Sequence, residues 1–277
     1  MGELKPYKHG YYLWLYVPSI GAAITFLLFY GIATIFHTYR LIKTRTWFCL
    51  PFAIGGIFEI YGYGGRCGAY KNTASLFSFA LSNNGVLLAP ALFAASIYMT
   101  LSRIIRSVHG EKYSFIPMKW LTRSFVLGDI VSFAVQASST GLSVTGHATA
   151  AKAVVLLGLF IQLISFGLFG CTAAVFYRRI RRSPTAACFD SGILWEQSLH
   201  MLFAVSGLIM GRSVFRVIEY WGGESGYLLR HEWPMYVFDT VPMLVVMILF
   251  YVRYPSDIRV KWREEESSEM PMNMERS

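Results

Sequence analysis

The sequence predicts an all-α integral membrane protein, a bundle of seven transmembrane helices with the N-terminus outside and the C-terminus in the cytosol. Three observations lead there. Hydrophobic residues make up 55% of the chain and charged residues only 15%, well outside the usual soluble composition. Several stretches without Lys, Arg, Asp or Glu exceed the roughly 20 residues needed to cross a bilayer core. Basic residues are concentrated in alternate connections between the apolar segments, which sets an orientation.

The spans follow in order. His9 to Tyr39, Asn72 to Ser102 and Ala153 to Tyr177 carry no charge and predict the first, third and fifth. Trp47 to Gly65, Trp120 to Leu142, Trp195 to Tyr220 and Trp233 to Tyr254 are long enough for the second, fourth, sixth and seventh. Each of these holds charge: Glu59, then Asp129, then Arg212, Arg216 and Glu219, then Asp239. The expected division is an extracellular segment over residues 1–14, a seven-helix domain over 15–256 and a disordered cytosolic tail over 257–277. In that tail Glu264 to Glu266, Ser267, Ser268 and Glu269 show no apolar periodicity. The start lacks the pattern of a cleaved signal peptide, so the first span is expected to act as its own targeting signal.

Arg40, Lys43 and Arg45, then Arg103, Arg106, Lys112 and Lys119, then Arg178, Arg179, Arg181 and Arg182, and finally Arg253, Arg259, Lys261 and Arg263 mark the cytosolic side. The other side has only Lys5, Lys8, Arg66, Lys71, Lys152 and Arg230. The net charge of +9 thus reports topology and contact with anionic inner-leaflet lipid, and no nucleic-acid partner is implied. Tyr11, Tyr12, Trp14, Tyr16, Trp47, Trp120, Trp195, Trp221 and Trp233 are expected as headgroup-level anchors. Pro90 and Pro242 remove helix hydrogen bonds and predict kinks. Cys49, Cys67, Cys171 and Cys188 have no CxxC spacing, and small buried apolar side chains are the expected role.

The charges inside the spans need a reason, because an arginine at the centre of a membrane helix costs roughly 2.5 to 3.5 kcal/mol on insertion scales. Arg212, Arg216, Glu219 and Tyr220 recur at i, i+4, i+7 and i+8 and share one helix face. Glu59, Tyr63 and Arg66 follow i, i+4 and i+7, and Asp129 and Gln136 are also seven apart. These stripes and Asp239 converge on the outer half of the membrane. Set against one another, three arginines and the acids Glu59, Asp129, Glu219 and Asp239 come near neutrality, as burial demands. Two readings stand: an ion-pair network that fixes helix packing, or the lining of a path for a ligand with a polar or charged head and an apolar tail.

FEIYGYGGR, VLLAPALFAASIYMTLSRII, FVLGDIVSFAVQ, GLFIQLISFGLF and GRSVFRVIEYWGGESGYLLRHEWPMYVFDTVPM closely resemble, in order and spacing, signature segments of the fungal lipid-translocating exporter family, which includes the resistance-to-aminocholesterol type. The resemblance runs from about Tyr16 to Pro255. It implies a fungal seven-span protein linked to movement of sphingoid long-chain bases, tolerance of sterol-like amines or, in one branch, porphyrin movement, with the plasma membrane as its location. The family's polar positions carry over onto Glu59, Tyr63, Arg66, Asp129, Gln136, Arg212, Arg216, Glu219, Glu232 and Asp239, without a catalytic role. Two positions depart from the pattern: Ala23 stands where an Asn commonly follows the first-span Pro-Ser, and Ala137 to Gly141 reads ASSTG in place of a glycine run.

The function expected is translocation or export of an amphiphilic, lipid-like small molecule, with membrane lipids as partners and no cofactor. No GxxxxGK[ST] phosphate loop is present, so movement is expected to be downhill, gradient-coupled or driven by a partner. Glu59, Glu219 and Asp239 suit a cationic head and the arginines an anionic one, and protonation of a carboxylate offers a route to pH coupling. The alternative is a seven-span receptor or sensor, although the seventh span has no retinal-type lysine. An intramembrane zinc hydrolase is disfavoured, because His37, His200 and His231 fall at different depths.

Overall fold

The computed structural model describes Leu4, Pro6, Tyr7 and residues 12–114, 117–144, 148–189, 195–223 and 226–255. The expected tail, Tyr11 and most of segment 1–14 lie outside the described residues. Eight helices and no strand occur among the described residues: α1 (Ile20–Thr44), α2 (Leu50–Lys71), α3 (Leu76–Ser107), α4 (Met118–Val144), α5 (Ala148–Arg182), α6 (Trp195–Gly222), the single turn α7 (Tyr227–Arg230) and α8 (Trp233–Val252). Of these α1, α3, α5, α6 and α8 are long and apolar enough to cross a membrane. The chain is an integral multi-pass membrane protein. The two other long helices, α2 and α4, lie in the same bundle, α2 against α1 and α3, α4 against α3 and α5.

Local chemistry sets the helix ends. Pro18 precedes Ser19, whose hydroxyl accepts the Ala22 N–H at the first turn of α1, so the helix begins at Ile20 and not near His9. Residues 12–19 therefore cross the end of the bundle as irregular chain. Arg45 closes α1 in the left-handed conformation, with φ 50°, and its N–H bonds the Leu41 and Ile42 carbonyls. A short 3-10 turn over Trp47–Cys49 leads into α2, which has Pro51 in its first turn. Ser75 caps α3 by accepting the Ser78 N–H.

Close approach of backbones holds α2 on α3. A β-carbon at Gly65 would lie 2.7 Å from the Ser82 nitrogen, and one at Gly85 2.8 Å from the Phe58 carbonyl oxygen. Only glycine permits that separation. The interior is rich in aromatic rings: Phe52 stacks between Phe93, at 4.4 Å, and Phe250, at 4.2 Å. Outward faces stay apolar, as at Leu28, Ile35, Ile164, Leu168 and Val252, which suits contact with lipid tails.

Several sequence expectations need correction. Trp47, Trp120, Trp221 and Trp233 are exposed, as anchors should be, but Trp14 is buried against Phe79 with an edge-on contact at 5.6 Å. Because residues 12–19 are not helical, they can fold inward over the bundle. Of the cysteines only Cys49 is buried, and Cys171 is exposed on α5. α3 runs through Pro90 as one helix. Before Pro242, α8 contains a π-helical turn over Tyr236–Thr240, in which the Val241 N–H bonds the Tyr236 carbonyl five residues back. The extra residue in that turn absorbs the ring that lacks an N–H.

Candidate functional site

The face of α6 carrying Arg212, Arg216 and Glu219 turns into the bundle, and all three are buried. Opposite stands Asp239, which the π-helical turn of α8 directs inward. Arg212 donates from Nε to Asp239 Oδ1, and Arg216 donates from Nη2 to Oδ2 of the same carboxylate. Arg216 Nη1 also reaches Glu219 Oε2 at 3.0 Å. One carboxylate thus spans two guanidiniums, and a second acid completes a neutral group of four. This arrangement satisfies the requirement for compensating buried charges.

Pro90 determines the remaining contact of Arg212. A helical carbonyl at position 86 would accept the N–H of residue 90, which proline lacks. Arg212 Nη2 occupies that vacancy with a 3.0 Å hydrogen bond to the Val86 carbonyl. The proline expected to bend α3 also frees an acceptor for a buried arginine.

Arg66 of α2 forms a second ionic group nearer the helix ends. Its Nη1 meets Glu232 Oε1 at 3.2 Å, its Nη2 meets the Tyr16 hydroxyl at 3.1 Å, and the Met235 sulfur is a further contact. The rings of Trp14, Tyr16 and Tyr236 lie 5.6 to 6.0 Å from its guanidinium carbon, within cation–π range. Glu232 also accepts the Ser19 N–H, at 2.9 and 3.1 Å, and the Tyr236 hydroxyl at 2.9 Å. This single carboxylate ties the starts of α1 and α8 to α2.

Tyr63 donates to Thr240 Oγ1 at 2.6 Å, while Tyr30 of α1 donates to the Thr240 carbonyl at 2.7 Å. Glu59 is 1% exposed, and its Oε2 has no hydrogen-bond partner. It lies within electrostatic reach of Arg212, Arg216 and Asp239. Asp129 and Gln136 occupy a different place. Asp129 accepts from the Tyr98 hydroxyl at 2.8 Å, and Gln136 bonds Ser132 of its own helix at 2.8 Å and Gln162 of α5 at 3.3 Å. The expected pooling of all the charges is thus only partly realised, since Arg66 takes Glu232 while Glu59 and Asp129 form no ion pair with an arginine among the described residues.

A cavity of about 710 Å³ adjoins these groups. Arg66, Arg216, Glu219 and the half-buried Tyr220 line it, together with Trp14 and Tyr16 from the irregular segment, Ser139 of α4 and Lys152 of α5. Arg230 and Gly223 complete one rim. Gly223 has φ +69°, and Lys152 Nζ would lie 2.9 Å from a β-carbon there; the same ammonium donates to the Trp221 carbonyl at 3.0 Å. The lining mixes cations, one acid, phenols and apolar surface, which suits an amphiphile. Sequence reasoning missed Tyr16, Tyr30, Thr240 and Lys152 as participants. The tyrosines carried no helical spacing linking them to the charged stripes, and Lys152 signalled only a connection. Among the described residues no group of three or more His, Cys, Asp and Glu is placed to hold a metal ion.

Comparison with known proteins finds relatives over most of the chain. The model of the family described as RTA1 like protein matches residues 52–261. Protein RTA1 of Saccharomyces cerevisiae is 30% identical over 274 residues, covering 90% of this chain and 86% of that protein. Protoporphyrin uptake protein 1 of the same species is 32% identical over 282 residues, 88% and 92% of the two chains. Sphingoid long-chain base transporter RSB1 of that species is 27% identical over 276 residues, 86% and 72% of the two chains. No solved structure matches the chain. Matched by that model over residues 52–261, a span that includes Arg212, Arg216 and Asp239, the chain belongs to the RTA1-like family.

Proposed function

We propose that this protein moves a lipid-like amphiphile across a membrane, with the cavity beside Arg66, Arg216 and Glu219 receiving the polar head. The observation that carries this reading is the cavity itself. Its volume of about 710 Å³ is of the size that holds a small molecule, and buried ionic groups stand next to it inside a bundle with apolar outer faces. Ionisable groups at membrane depth usually mark a substrate or ion path. Relatives named for sphingoid-base transport and for protoporphyrin uptake support an amphiphile as cargo. The protein is a transporter without catalytic residues.

In this reading α1 to α6 and α8 each cross the membrane once. The polar faces of α2 and α4 are turned inward, which lowers their average apolarity without exposing charge to lipid. The basic connections after α1, α3 and α5 lie in the cytosol, so the cavity opens toward the outside of the plasma membrane. Segment 1–14 is then extracellular and the tail over 257–277 cytosolic. Glu59, Tyr63, Arg66, Arg212, Arg216, Glu219, Tyr220, Glu232 and Asp239 shape and hold the head-group site, and Asp129 and Gln136 serve the same path from α4.

The test is translocation of a labelled sphingoid base and a labelled phospholipid in liposomes containing the purified chain, with Arg216→Ala as control. Transport accelerated by the wild type and lost in the variant is the expected result, and the head group moved names the substrate class. Folded wild type that accelerates neither lipid refutes transport of these classes and favours an amphiphile sensor.

A further inference from the structure

Among the described residues Asp129 differs from the other buried acids in having no cation within electrostatic reach. It is 4% exposed, its Oδ2 accepts from the Tyr98 hydroxyl, and its Oδ1 has no hydrogen-bond partner among the described residues. The ring of Tyr98 is in turn surrounded by Phe125, Phe166 and Phe169, with centroids 4.5 to 5.9 Å away. From α3, Tyr98 is the titratable group that faces it; α5 brings Ser165 against the neighbouring Gly128. Among the described residues no charged side chain from any packed element interacts with Asp129. An ionised carboxylate in such surroundings has one hydrogen bond and no countercharge, a costly state that a proton relieves.

The same face of α4 provides a route. Asp129, Ser132, Gln136 and Ser139 recur at i, i+3, i+7 and i+10, and all four are buried. Ser132 donates to the Gly158 carbonyl at 2.7 Å, Gln136 bonds Ser132 and Gln162, and Ser139 lines the cavity. Gly158 allows α5 to close on this strip, since a β-carbon there would sit 2.5 Å from Gln136 Cγ. Ten residues of helix span about 15 Å, so a polar file runs that far from the cavity wall to an unsatisfied carboxyl oxygen.

We propose that Asp129 is a proton-binding site served from the cavity along Ser139, Gln136 and Ser132, and that its loading and unloading couple amphiphile movement to a proton gradient. The proton comes from cavity water, adds to the Asp129 carboxylate as an O–H bond, and returns when the site reopens. Asp239 and Glu219 are unsuited to this task because each is already paired with a guanidinium, Asp239 through both oxygens and Glu219 through Oε2. Glu59 has an unpartnered oxygen but lies in the field of Arg212 and Arg216. The coupling rests on the transport reading, whereas the proton site does not.

Two measurements separate them. Acid-minus-neutral infrared difference spectra of the purified chain should contain a carboxyl C=O band that is lost in Asp129→Asn, retained in Glu59→Gln and shifted in its pH midpoint by Tyr98→Phe. Absence of the band from folded wild type, or its survival in Asp129→Asn, overturns the proton site. In liposomes, a labelled phosphatidylcholine and a long-chain quaternary ammonium, whose heads do not titrate near neutrality, should move severalfold faster under an imposed pH gradient. In Asp129→Asn the ratio of the rates with and without the gradient should fall to unity. Movement indifferent to the gradient in wild type overturns the coupling and leaves the transport reading intact. The band without movement of any probe supports the proton site and counts against transport.

Discussion

Asp239 and Asp129 are both buried aspartates of the same bundle, yet their surroundings are opposite. Asp239 holds two guanidiniums with its two oxygens, and the adjoining Glu219 balances the second. Asp129 has a phenol on one oxygen and, among the described residues, no hydrogen-bond partner on the other. The first environment requires the charge to stay, because removing it strands two buried cations. The second tolerates its loss, because no cation among the described residues depends on it. A buried carboxylate is therefore a structural fastener or a titratable device according to what it faces, and burial alone does not distinguish the two.

The largest effect expected is at the compensated site. Asp239→Asn leaves Arg212 and Arg216 without their shared counter-ion and should lower stability by about 3–5 kcal/mol, read as a fall in thermal unfolding temperature in detergent. A variant as stable as wild type would remove the distinction between the two regions. Gly158→Leu comes next, since its side chain collides with Gln136 and the Ser132 carbonyl where α4 meets α5. A loss of about 1–3 kcal/mol is expected, with the polar file disrupted in step. Tyr98→Phe removes the single hydrogen bond to Asp129 and should cost about 1–3 kcal/mol at neutral pH.

Smaller still is Asp129→Asn, for which unfolding should stay within about 1 kcal/mol of wild type, because a neutral isostere removes no ion pair. A destabilisation equal to that of Asp239→Asn would mean that an undetected cation pairs with Asp129. The least effect is expected for Pro90→Ala. It restores a helical donor to the Val86 carbonyl while taking an acceptor from Arg212, two changes of about 1 kcal/mol each and opposite sign. A large loss there would show that the acceptor matters more to the arginine than the helix bond does to α3.

The sequence made much of this legible. Uncharged stretches identify a membrane protein, and the i, i+4, i+7 rhythm of Arg212, Arg216 and Glu219 correctly places them on one buried face. Glu59, Tyr63 and Arg66 likewise share the inward side of α2. Periodicity reports a face and leaves the partner open. Nothing along the chain pairs Arg66 with Glu232, 166 residues away, or hands Tyr30 the carbonyl of Thr240, 210 residues away. Those contacts depend on how closely helices approach and on which turn of each meets which.

Composition and spacing by themselves determined that the chain lives in a membrane, where its long helices fall and which of their faces must be hidden, because lipid penalises every charge turned toward it. The tertiary structure alone decided which acid each arginine received. A π-helical turn set the angle of Asp239, Pro90 exposed the Val86 carbonyl, and glycine contacts fixed how near α2 and α4 approach their neighbours. It alone left Asp129 without a countercharge among the described residues. The physical reason is that low dielectric makes neutralisation obligatory for the group as a whole, while the choice of partner is made over a few ångströms by helix crossing and local backbone departures that no repeat in the sequence encodes.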